Sequence, residues 1–538
     1  MKKKQGKVWL VGAGPGDPGL FTLKGKQVLA QAQVVVYDAL VGSGILAMIP
    51  AHAKQIYVGK RAGNHAMAQE DISRLLAEKA QEGLRVVRLK GGDPFLFGRG
   101  GEELLTLRAY GVDYEVVPGI SSALAVPAYN GIPVTHRGMA GSVHIITGHK
   151  RAGEVLDLPY QAYVQTGGTL VFLMGLAALP DIVQGLLDAG MDTHTSAAVL
   201  EKGTTAGQRR VCTTLDQIVE AVAQAQIQTP AVTVVGAVAA LSGELAWYER
   251  LPLFGRRFVL TRPVGRMAAL AGGLRVRGAE VIELPAIETK ARVIASEYPE
   301  LFENIAKKCY DCLVFTSPAG VQCFFDQFYD AGYDARSLAG LRLAVIGSGT
   351  AGALRAYGLA ADLMPETYNG ESLGDLLRNC LPDGSRVLIL RSSIGNPKLV
   401  THMGASFAVT DLAVYDTVAA RADAAAEQVF SELAAQEKAA GIHECDGSNE
   451  SNESNESNES NASNERNGID GIIFTSASTV REFLHSHPQF VPEGKTALCI
   501  GGMTAQEARK AGMKVQVAEK SSVDGLLALV ERVYVRNG

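Results

Sequence analysis

Residues 8–18 read Val-Trp-Leu-Val-Gly-Ala-Gly-Pro-Gly-Asp-Pro, an apolar run that ends in a glycine-rich turn. Four apolar residues match a short buried strand, and glycine allows the sharp turn at its end. Further strand-like runs lie at 34–37, 86–89 and 143–147. Segments with apolar residues at three- and four-residue spacing, typical of helices, lie at 69–82, 102–110 and 215–224. The alternation predicts an α/β fold with largely parallel sheets.

The chain has 538 residues, which is too long for one domain of ordinary size. Apolar residues make up 47% and charged residues 20%, a composition that excludes a mainly disordered protein. A net charge of −5 argues against a generally basic nucleic-acid binder. Turn residues at 242–256 precede a new strand-like run, so we predict two halves, 1–250 and 256–538.

The second half contains an internal repeat. Residues 313–317 and 472–476 both end in Phe-Thr-Ser before a helix-like segment, and 343–347 resembles 497–501 in the same way. Two similar α/β lobes would explain this pattern. Residues 448–465 are tandem Ser-Asn-Glu or Ser-Asn-Ala tripeptides with no apolar side chain larger than alanine, so we predict a disordered loop there.

Cysteine usage and hydropathy indicate a cytoplasmic protein. The seven cysteines are scattered and odd in number, which favours reduced thiols over a disulfide framework. Cys309 and Cys312 have no second pair at metal-ligand spacing, so we expect no metal site. The longest apolar stretch, 231–241, is about half the length of a membrane span, so we expect no membrane insertion.

Glycine-rich turns are the main candidate ligand loops of the first half. In the turn at 12–18, Asp17 replaces the third glycine of a dinucleotide fingerprint and Pro15 lacks an N–H. Such a turn suits a nucleoside without phosphates better than a pyrophosphate. Residues 88–102 contain five glycines and Asp93. Residues 116–122 end in two serines at a helix start, where a plain helix N-cap is the alternative to, and compatible with, a ligand contact.

These turns, with Val58-Gly59-Lys60-Arg61 and Gly131-Ile132-Pro133-Val134-Thr135-His136-Arg137, resemble uroporphyrinogen III C-methyltransferase over residues 6–250. The resemblance implies the two-domain tetrapyrrole methylase fold, a homodimer, and S-adenosylmethionine in the cleft between the two domains. It also implies methylation of rings A and B of uroporphyrinogen III, giving precorrin-2.

The same resemblance assigns residues to roles. The implied S-adenosylmethionine contacts are Pro15, Gly91, Gly92, Asp93, Leu96, Ser121, Ser122, Met174 and Gly203. The implied acid–base pair is Asp38 and Lys60, since a carboxylate can remove the proton lost as the methylated ring is restored. Because the substrate is a polycarboxylate, we expect clamps among the basic residues Arg61, Arg88, Arg99, Arg137, Lys150 and Arg151.

A rival hypothesis comes from residues 347–352, which match G-x-G-x-x-G after a strand. Alone, this suggests an NAD-dependent dehydrogenase fused to the methylase. The acid expected about 20 residues later is not convincing, because Asp362 comes early and Glu366 follows a proline.

The order of the motifs in residues 256–538 resembles uroporphyrinogen III synthase instead. These motifs are Val259-Leu260-Thr261-Arg262-Pro263, the repeated Phe-Thr-Ser units, the segments 343–351 and 497–505, Leu390-Arg391 and Val414-Tyr415-Asp416-Thr417. That family has a bilobed fold, which here implies an outer lobe of 256–286 plus 418–538 and an inserted lobe of 287–417. The resemblance implies cyclisation of hydroxymethylbilane without a cofactor, with Tyr415 assisting departure of the hydroxyl group. A packing role at a hinge strand is the alternative for Tyr415. Candidate substrate contacts at the strand–helix turns are Arg262, Arg391, Ser317, Thr350, Ser476 and Thr504.

The sequence therefore predicts a bifunctional enzyme that makes uroporphyrinogen III and methylates it, on the siroheme or cobalamin branch. The alternatives are a methyltransferase whose second half is non-catalytic or NAD-dependent.

Overall fold

The structure is a computed structural model that describes residues 6–50, 52–59, 67–148, 157–261, 268–395, 397–420, 426–435 and 468–535. It contains four five-stranded sheets, two formed by residues before 251 and two by residues after 256. The α/β prediction is confirmed. The predicted insert 448–465 lies outside the described residues, and the domain boundaries themselves stay a prediction.

The first sheet is entirely parallel. Its strands are β1 Lys7–Gly12, β2 Val34–Tyr37, β3 Lys54–Tyr57, β4 Arg85–Lys90 and β5 Asp113–Val117, in the spatial order β3-β2-β4-β1-β5. The helices beside them are Leu23–Leu29, Ser43–Leu46, Gln69–Gln81, Gly100–Ala109 and Ser122–Tyr129. Helices on both faces of the sheet explain why β2 is buried throughout and why its sequence is an unbroken apolar run.

The second sheet is mixed, so the prediction of largely parallel sheets is wrong here. Its strands are β6 Val143–Thr147, β7 Thr169–Leu173, β8 Ser196–Glu201, β9 Arg209–Thr214 and β10 Ala231–Val235, in the order β6-β7-β10-β8-β9. Only β6 and β7 pair in parallel. Its helices are Tyr160–Thr166, Leu179–Asp188, Ile218–Gln224 and Ser242–Leu245. Strand direction could not be read from the sequence, because a buried antiparallel strand can be as apolar as a parallel one.

The segment between the halves is packed. Leu253 is fully buried, and the Tyr248 ring lies 4.9 Å from the ring of Tyr129 and 5.4 Å from that of Phe254. Tyr248–Arg250 form a short 3-10 helix. The predicted boundary therefore coincides with an aromatic cluster that fixes the chain before the next strand begins.

The second half has two further sheets. The third contains β11 Arg257–Leu260, β12 Glu280–Glu283, β18 Gly471–Phe474, β19 Thr496–Cys499 and β20 Lys514–Val517, in the order β12-β11-β18-β19-β20. The fourth contains β13 Ile287–Ala291, β14 Cys312–Phe315, β15 Arg342–Val345, β16 Arg386–Ser392 and β17 Ala408–Ala419, in the order β13-β17-β16-β14-β15. Because the strands of the fourth sheet fall in sequence between β12 and β18, one lobe is inserted into the other.

Helices cover both of these sheets. Beside the third sheet lie Ala268–Val276, residues 426–435, Ala477–Ser486, Gly502–Lys510 and Val523–Tyr534. Beside the fourth lie Ile294–Glu297, Leu301–Ala306, Pro318–Asp330, Ser348–Ala356, Gly370–Cys380 and Lys398–Met403. Within the described residues, no helix is both long enough and apolar enough to cross a bilayer.

Candidate functional site

Three glycine-rich turns of the first sheet meet at its carboxyl edge. Gly14 and Gly92 exchange backbone hydrogen bonds of 3.1 and 2.8 Å. A Cβ added at Gly12 would lie 2.5 Å from the Cα of Gly119 and 2.6 Å from the carbonyl oxygen of Gly92. The three turns can approach this closely only because none of these residues has a side chain.

Asp93 holds this arrangement together. One carboxylate oxygen accepts the N–H of Phe95 at 2.8 Å, and the other accepts the N–H of Gly119 at 3.0 Å. Asp93 therefore joins the turn after β4 to the turn after β5. Ser121 accepts the N–H of Ala123 at 3.2 Å as the N-cap of its helix, so the predicted capping role of Ser121 is confirmed.

The second sheet supplies the facing wall. Asp17, in the first turn, accepts a hydrogen bond of 2.8 Å from the Tyr129 hydroxyl, and its N–H donates to the Thr204 hydroxyl at 3.3 Å. Burial and the neighbouring Asp17 carboxylate raise the pKa of Tyr129, so the phenol stays protonated. The turn that contains Gly203 is thereby held against the turn that contains Pro15. In the sequence, Asp17 is notable only as the residue that replaces the third glycine of the dinucleotide fingerprint.

Backbone strain is concentrated around this cleft. Phe97, Arg99, Met174, Lys202 and Thr204 have positive φ angles of 54°, 56°, 57°, 45° and 70°. Side chains are rarely tolerated in this conformation, which often marks ligand sites. Met174 directly follows β7 and is 53% exposed, as a residue available to a ligand would be.

Leu96 packs against a buried apolar cluster of the second sheet that includes Val126 and Leu173. Gly203 lies on the same cluster, since an added Cβ would be 2.4 Å from a Val126 methyl. The structure thus brings Leu96 and Gly203, two of the predicted cofactor contacts, onto one apolar cluster.

Asp38 follows β2 at the same edge of the first sheet. Its Oδ2 accepts from Nη2 of Arg88 at 3.0 Å, and its Oδ1 accepts from the N–H of Leu40 at 3.2 Å. The side chain is 25% exposed, so the carboxylate is held in place yet accessible. Its predicted partner Lys60 lies outside the described residues.

The basic side chains predicted as clamps have different surroundings. Arg99 and Arg137 are exposed. Arg99 donates two hydrogen bonds to the Glu102 carboxylate, from Nε at 2.8 Å and from Nη2 at 2.5 Å. The prediction for Arg88 is wrong, because its side chain is only 4% exposed and ion-paired. Arg61, Lys150 and Arg151 lie outside the described residues.

In the second half, Tyr415 and Ser317 come together. The Tyr415 hydroxyl lies 2.9 Å from Oγ of Ser317, which also accepts the N–H of Gly320 at 3.0 Å as a helix N-cap. A bulge between Arg391 and Ser392 shifts the register by one residue, so that Tyr415, and not Val414, lies opposite Ser392. This contact joins residues 98 positions apart, and no local sequence pattern indicates it.

The internal repeat appears as matching helix caps. Ser317 and Ser476 have φ/ψ of −160°/154° and −161°/159°, and each side chain caps the helix that follows. Ser476 accepts the N–H of Thr479 at 3.2 Å. The two lobes therefore repeat the same strand–turn–helix unit, as predicted.

The other predicted substrate contacts of this half are less open. Thr350 and Thr504 are 2% and 4% exposed, so their side chains would need a rearrangement to contact a ligand. Arg391 forms an ion pair with Asp411, and Arg262 lies outside the described residues.

The dinucleotide hypothesis requires open space beside Gly347. A Cβ added at Gly347 would be 2.7 Å from the Tyr368 ring, so this space is filled. Within the described residues, no group of His, Cys, Asp and Glu could hold a metal ion.

Both halves of the chain match known protein families. The family model for tetrapyrrole (corrin/porphyrin) methylases matches residues 7–219, and that for uroporphyrinogen-III synthase HemD matches residues 268–528. The porphyrin biosynthesis protein HemD of Ruminiclostridium josui is 39% identical over 525 residues, covering 97% of each chain.

Two further proteins match the first half. The siroheme synthase of Pseudomonas aeruginosa strain LESB58 is 49% identical over 244 residues, which are 45% of this chain and 52% of that protein. The crystal structure of uroporphyrin III C-methyl transferase from Thermus thermophilus is 40% identical, covers 44% of this chain and 99% of its own, and has a TM-score of 0.38.

Proposed function

Because this chain belongs to the family of porphyrin-biosynthesis proteins that fuse a tetrapyrrole methylase to a uroporphyrinogen-III synthase, we propose that it performs two consecutive reactions. The second half cyclises hydroxymethylbilane to uroporphyrinogen III, with loss of water and inversion of ring D. The first half then methylates that product twice, using S-adenosylmethionine, to give precorrin-2. The domains are those predicted, 1–250 and 256–538.

The observation that carries the methylase proposal is the position of Asp38 beside the glycine cleft. S-adenosylmethionine supplies an electrophilic methyl group when bound. Gly91, Gly92 and Asp93 would receive it on backbone groups, with Pro15, Leu96, Ser121, Ser122, Met174 and Gly203 around it. The cleft fits such a ligand, because Met174 offers an exposed apolar side chain and the glycine turns let a ligand approach the backbone.

Asp38 then acts as the proton acceptor. Its accessible carboxylate is held by Arg88 and by the N–H of Leu40, which fixes the oxygen that must meet the substrate proton. Lys60 is proposed as its acid partner, and Arg99 and Arg137 as exposed contacts for substrate carboxylates. A homodimer through the first half is part of the proposal, and sedimentation equilibrium would test it.

For the synthase, the supporting observation is the contact between Tyr415 and Ser317. Ser317 accepts the Gly320 N–H, so its own O–H can donate to the Tyr415 oxygen. Ser317 would orient the Tyr415 hydroxyl, which is proposed to donate a proton to the departing hydroxyl group of hydroxymethylbilane. Ser476 is proposed as a further substrate contact from the other lobe.

One incubation tests both reactions. Hydroxymethylbilane is supplied to the protein with and without S-adenosylmethionine, under anaerobic conditions, and the products are separated by isomer and mass. We expect uroporphyrinogen III without the methyl donor and the dimethylated product with it. Type I isomer alone would refute the synthase proposal and favour a non-catalytic second half. Added NAD should change nothing, and a dehydrogenated product would favour the dinucleotide hypothesis.

Asp38→Asn tests the proton acceptor. We expect methyl transfer to fall by roughly 100-fold or more, because the amide cannot take the proton. Cyclisation by the same protein should be unchanged. The matched control is Asp71→Asn, on an exposed helix surface where the side chain is 53% exposed. Normal methylation by Asp38→Asn would remove Asp38 from this role.

A further inference from the structure

Behind Asp38 lies a set of buried charges that the proposed reaction does not yet use. Arg88 and Lys90 are 3% and 5% exposed on β4, and Glu103 is fully buried on the helix Gly100–Ala109. Residues two apart on a strand point to the same side, so both cations face this helix. Charges are rarely buried without a purpose, because removing them from water is costly.

The Arg88 guanidinium is fixed on several sides. Nη1 donates to the Leu89 carbonyl at 2.7 Å, Nε lies 3.4 Å from Oε1 of Glu103, and Nη2 donates to Asp38 at 3.0 Å. A side chain held by both its own strand and a buried carboxylate has one available orientation. That orientation directs one nitrogen at Asp38.

Glu103 is the anchor of this arrangement. Its Oε1 also accepts from Nζ of Lys90 at 2.8 Å and from Nε2 of Gln69 at 2.9 Å. Burial, and next the charge of Arg88, lower the pKa of Lys90, while Glu103 opposes that shift. The other charged groups near the set are Asp38 after β2, and Arg99 and Glu102 at the start of the same helix.

We infer that Arg88, anchored by Glu103, is a positioning residue for proton removal: it holds the Asp38 carboxylate in one orientation and supplies its cationic partner. The inference rests on the proposed role of Asp38 as proton acceptor. Arg88 cannot itself clamp a substrate carboxylate, because its side chain is 4% exposed and its donors are used within the protein. It acts on the reaction through Asp38 alone.

The pH dependence of methyl transfer tests this inference, in full-length protein with uroporphyrinogen III and S-adenosylmethionine. In Arg88→Gln the Asp38 carboxylate loses its cationic partner, so we expect the acidic limb of the kcat/KM profile to move to higher pH. The rate at pH 7 should fall by roughly tenfold or more, because the carboxylate is no longer held in one orientation. Arg88→Lys keeps the charge, so its acidic limb should stay in place while the rate falls.

Glu103→Gln separates orientation from charge. It removes a nearby negative charge, so the acidic limb should not move upward, yet the rate should fall at every pH because Arg88 loses its anchor. Binding of S-adenosylhomocysteine, measured by calorimetry, should be unchanged in all three variants, as should cyclisation of hydroxymethylbilane by the second half. Arg74→Gln, on an exposed helix surface, is the matched control and should behave as wild type.

Several results would overturn the inference. One is an unmoved profile in a folded Arg88→Gln protein that binds S-adenosylhomocysteine normally, and another is an upward shift in Arg88→Lys as large as that in Arg88→Gln. If Arg88→Gln does not fold, the Arg88→Lys and Glu103→Gln profiles decide. Failure of the wild-type protein to methylate uroporphyrinogen III would refute the proposed function itself, which is a different outcome.

Discussion

Single residues decide how closely the turns of the first half can meet. A Cβ added at Gly119 would lie 2.2 Å from the Gly92 carbonyl oxygen and 2.7 Å from the Cα of Gly12, distances that real Cβ atoms do not reach. These contacts involve backbone atoms on all three turns, so no side-chain rotation can relieve them. The composition of the turns is therefore a packing requirement as well as a candidate ligand feature.

Gly119→Ala should separate these turns. We expect binding of S-adenosylhomocysteine to weaken by at least roughly tenfold, measured by calorimetry, because the backbone of one or more turns must shift. Gly101→Ala is the matched control, since its added Cβ meets nothing within 4 Å in the helix Gly100–Ala109. Wild-type affinity in Gly119→Ala would show that these turns do not form the cofactor site.

The hydroxyl of Tyr415 is the second residue-scale test. Tyr415→Phe retains the ring at the bulge but removes the donor, so we expect hydroxymethylbilane cyclisation to slow by roughly 10- to 100-fold. Ser317→Ala should slow it less, because the tyrosine keeps its proton but loses its orientation. Tyr329→Phe, whose ring is 39% exposed on the helix Pro318–Asp330, is the control. Unchanged rates in Tyr415→Phe would favour the packing role.

At the level of elements, a buried histidine joins two helices of the third sheet. His487, 4% exposed, follows the helix Ala477–Ser486 and lies 3.1 Å from the carboxylate of Glu427 in the helical residues 426–435. Burial lowers the pKa of His487, but the hydrogen bonds to Glu427 and to the Phe483 carbonyl outweigh it, so the pKa is raised above 6.5. The pair links the chain on either side of residues 436–467.

This pair predicts a pH-dependent stability. Because the folded protein holds the His487 proton more tightly than the unfolded chain, the stabilisation is complete below about pH 6.5 and is lost as the pH rises through the raised value. Denaturant unfolding of the second half should therefore show a falling free energy of unfolding over that window. Glu427→Gln should weaken that fall, and an identical slope in this variant would contradict the assignment.

On the scale of the whole molecule, the excess negative charge comes from a segment that contains none of the candidate site residues. The five glutamates of residues 448–465 equal the entire excess of acidic over basic side chains, so the rest of the chain is balanced. A chain that is otherwise balanced in charge suits polycarboxylate substrates better than the net charge of −5 suggests.

Deletion of residues 448–465 should leave both activities within about twofold of wild type, because these tripeptides have no apolar side chain that could contribute to a core. The coupled conversion of hydroxymethylbilane to the dimethylated product measures both activities at once. Replacing the segment with Gly-Ser repeats of equal length is the control for linker length. If the deletion loses either activity and the replacement does not, the length of the segment is required for that activity. If both variants lose it, the tripeptide sequence itself is required.

The sequence by itself determined the features that depend on neighbours within a few residues. It predicted the α/β alternation, the capping of helices by Ser121 and the repeated Phe-Thr-Ser units, because strand pattern and N-caps are local. Its motif order also indicated the family of both halves. It did not reveal the antiparallel strands of the second sheet, because an apolar run has no direction.

Only the tertiary structure decided which distant residues meet. The contact of Gly12, Gly92 and Gly119, the anchoring of Arg88 by Glu103, and the bond between Ser317 and Tyr415 each depend on strand order and register. One signal was available, since two cations at alternate positions of a buried strand require a buried partner. The helix Gly100–Ala109 packs on β4 so that Glu103 becomes this partner. No local rule specifies that packing.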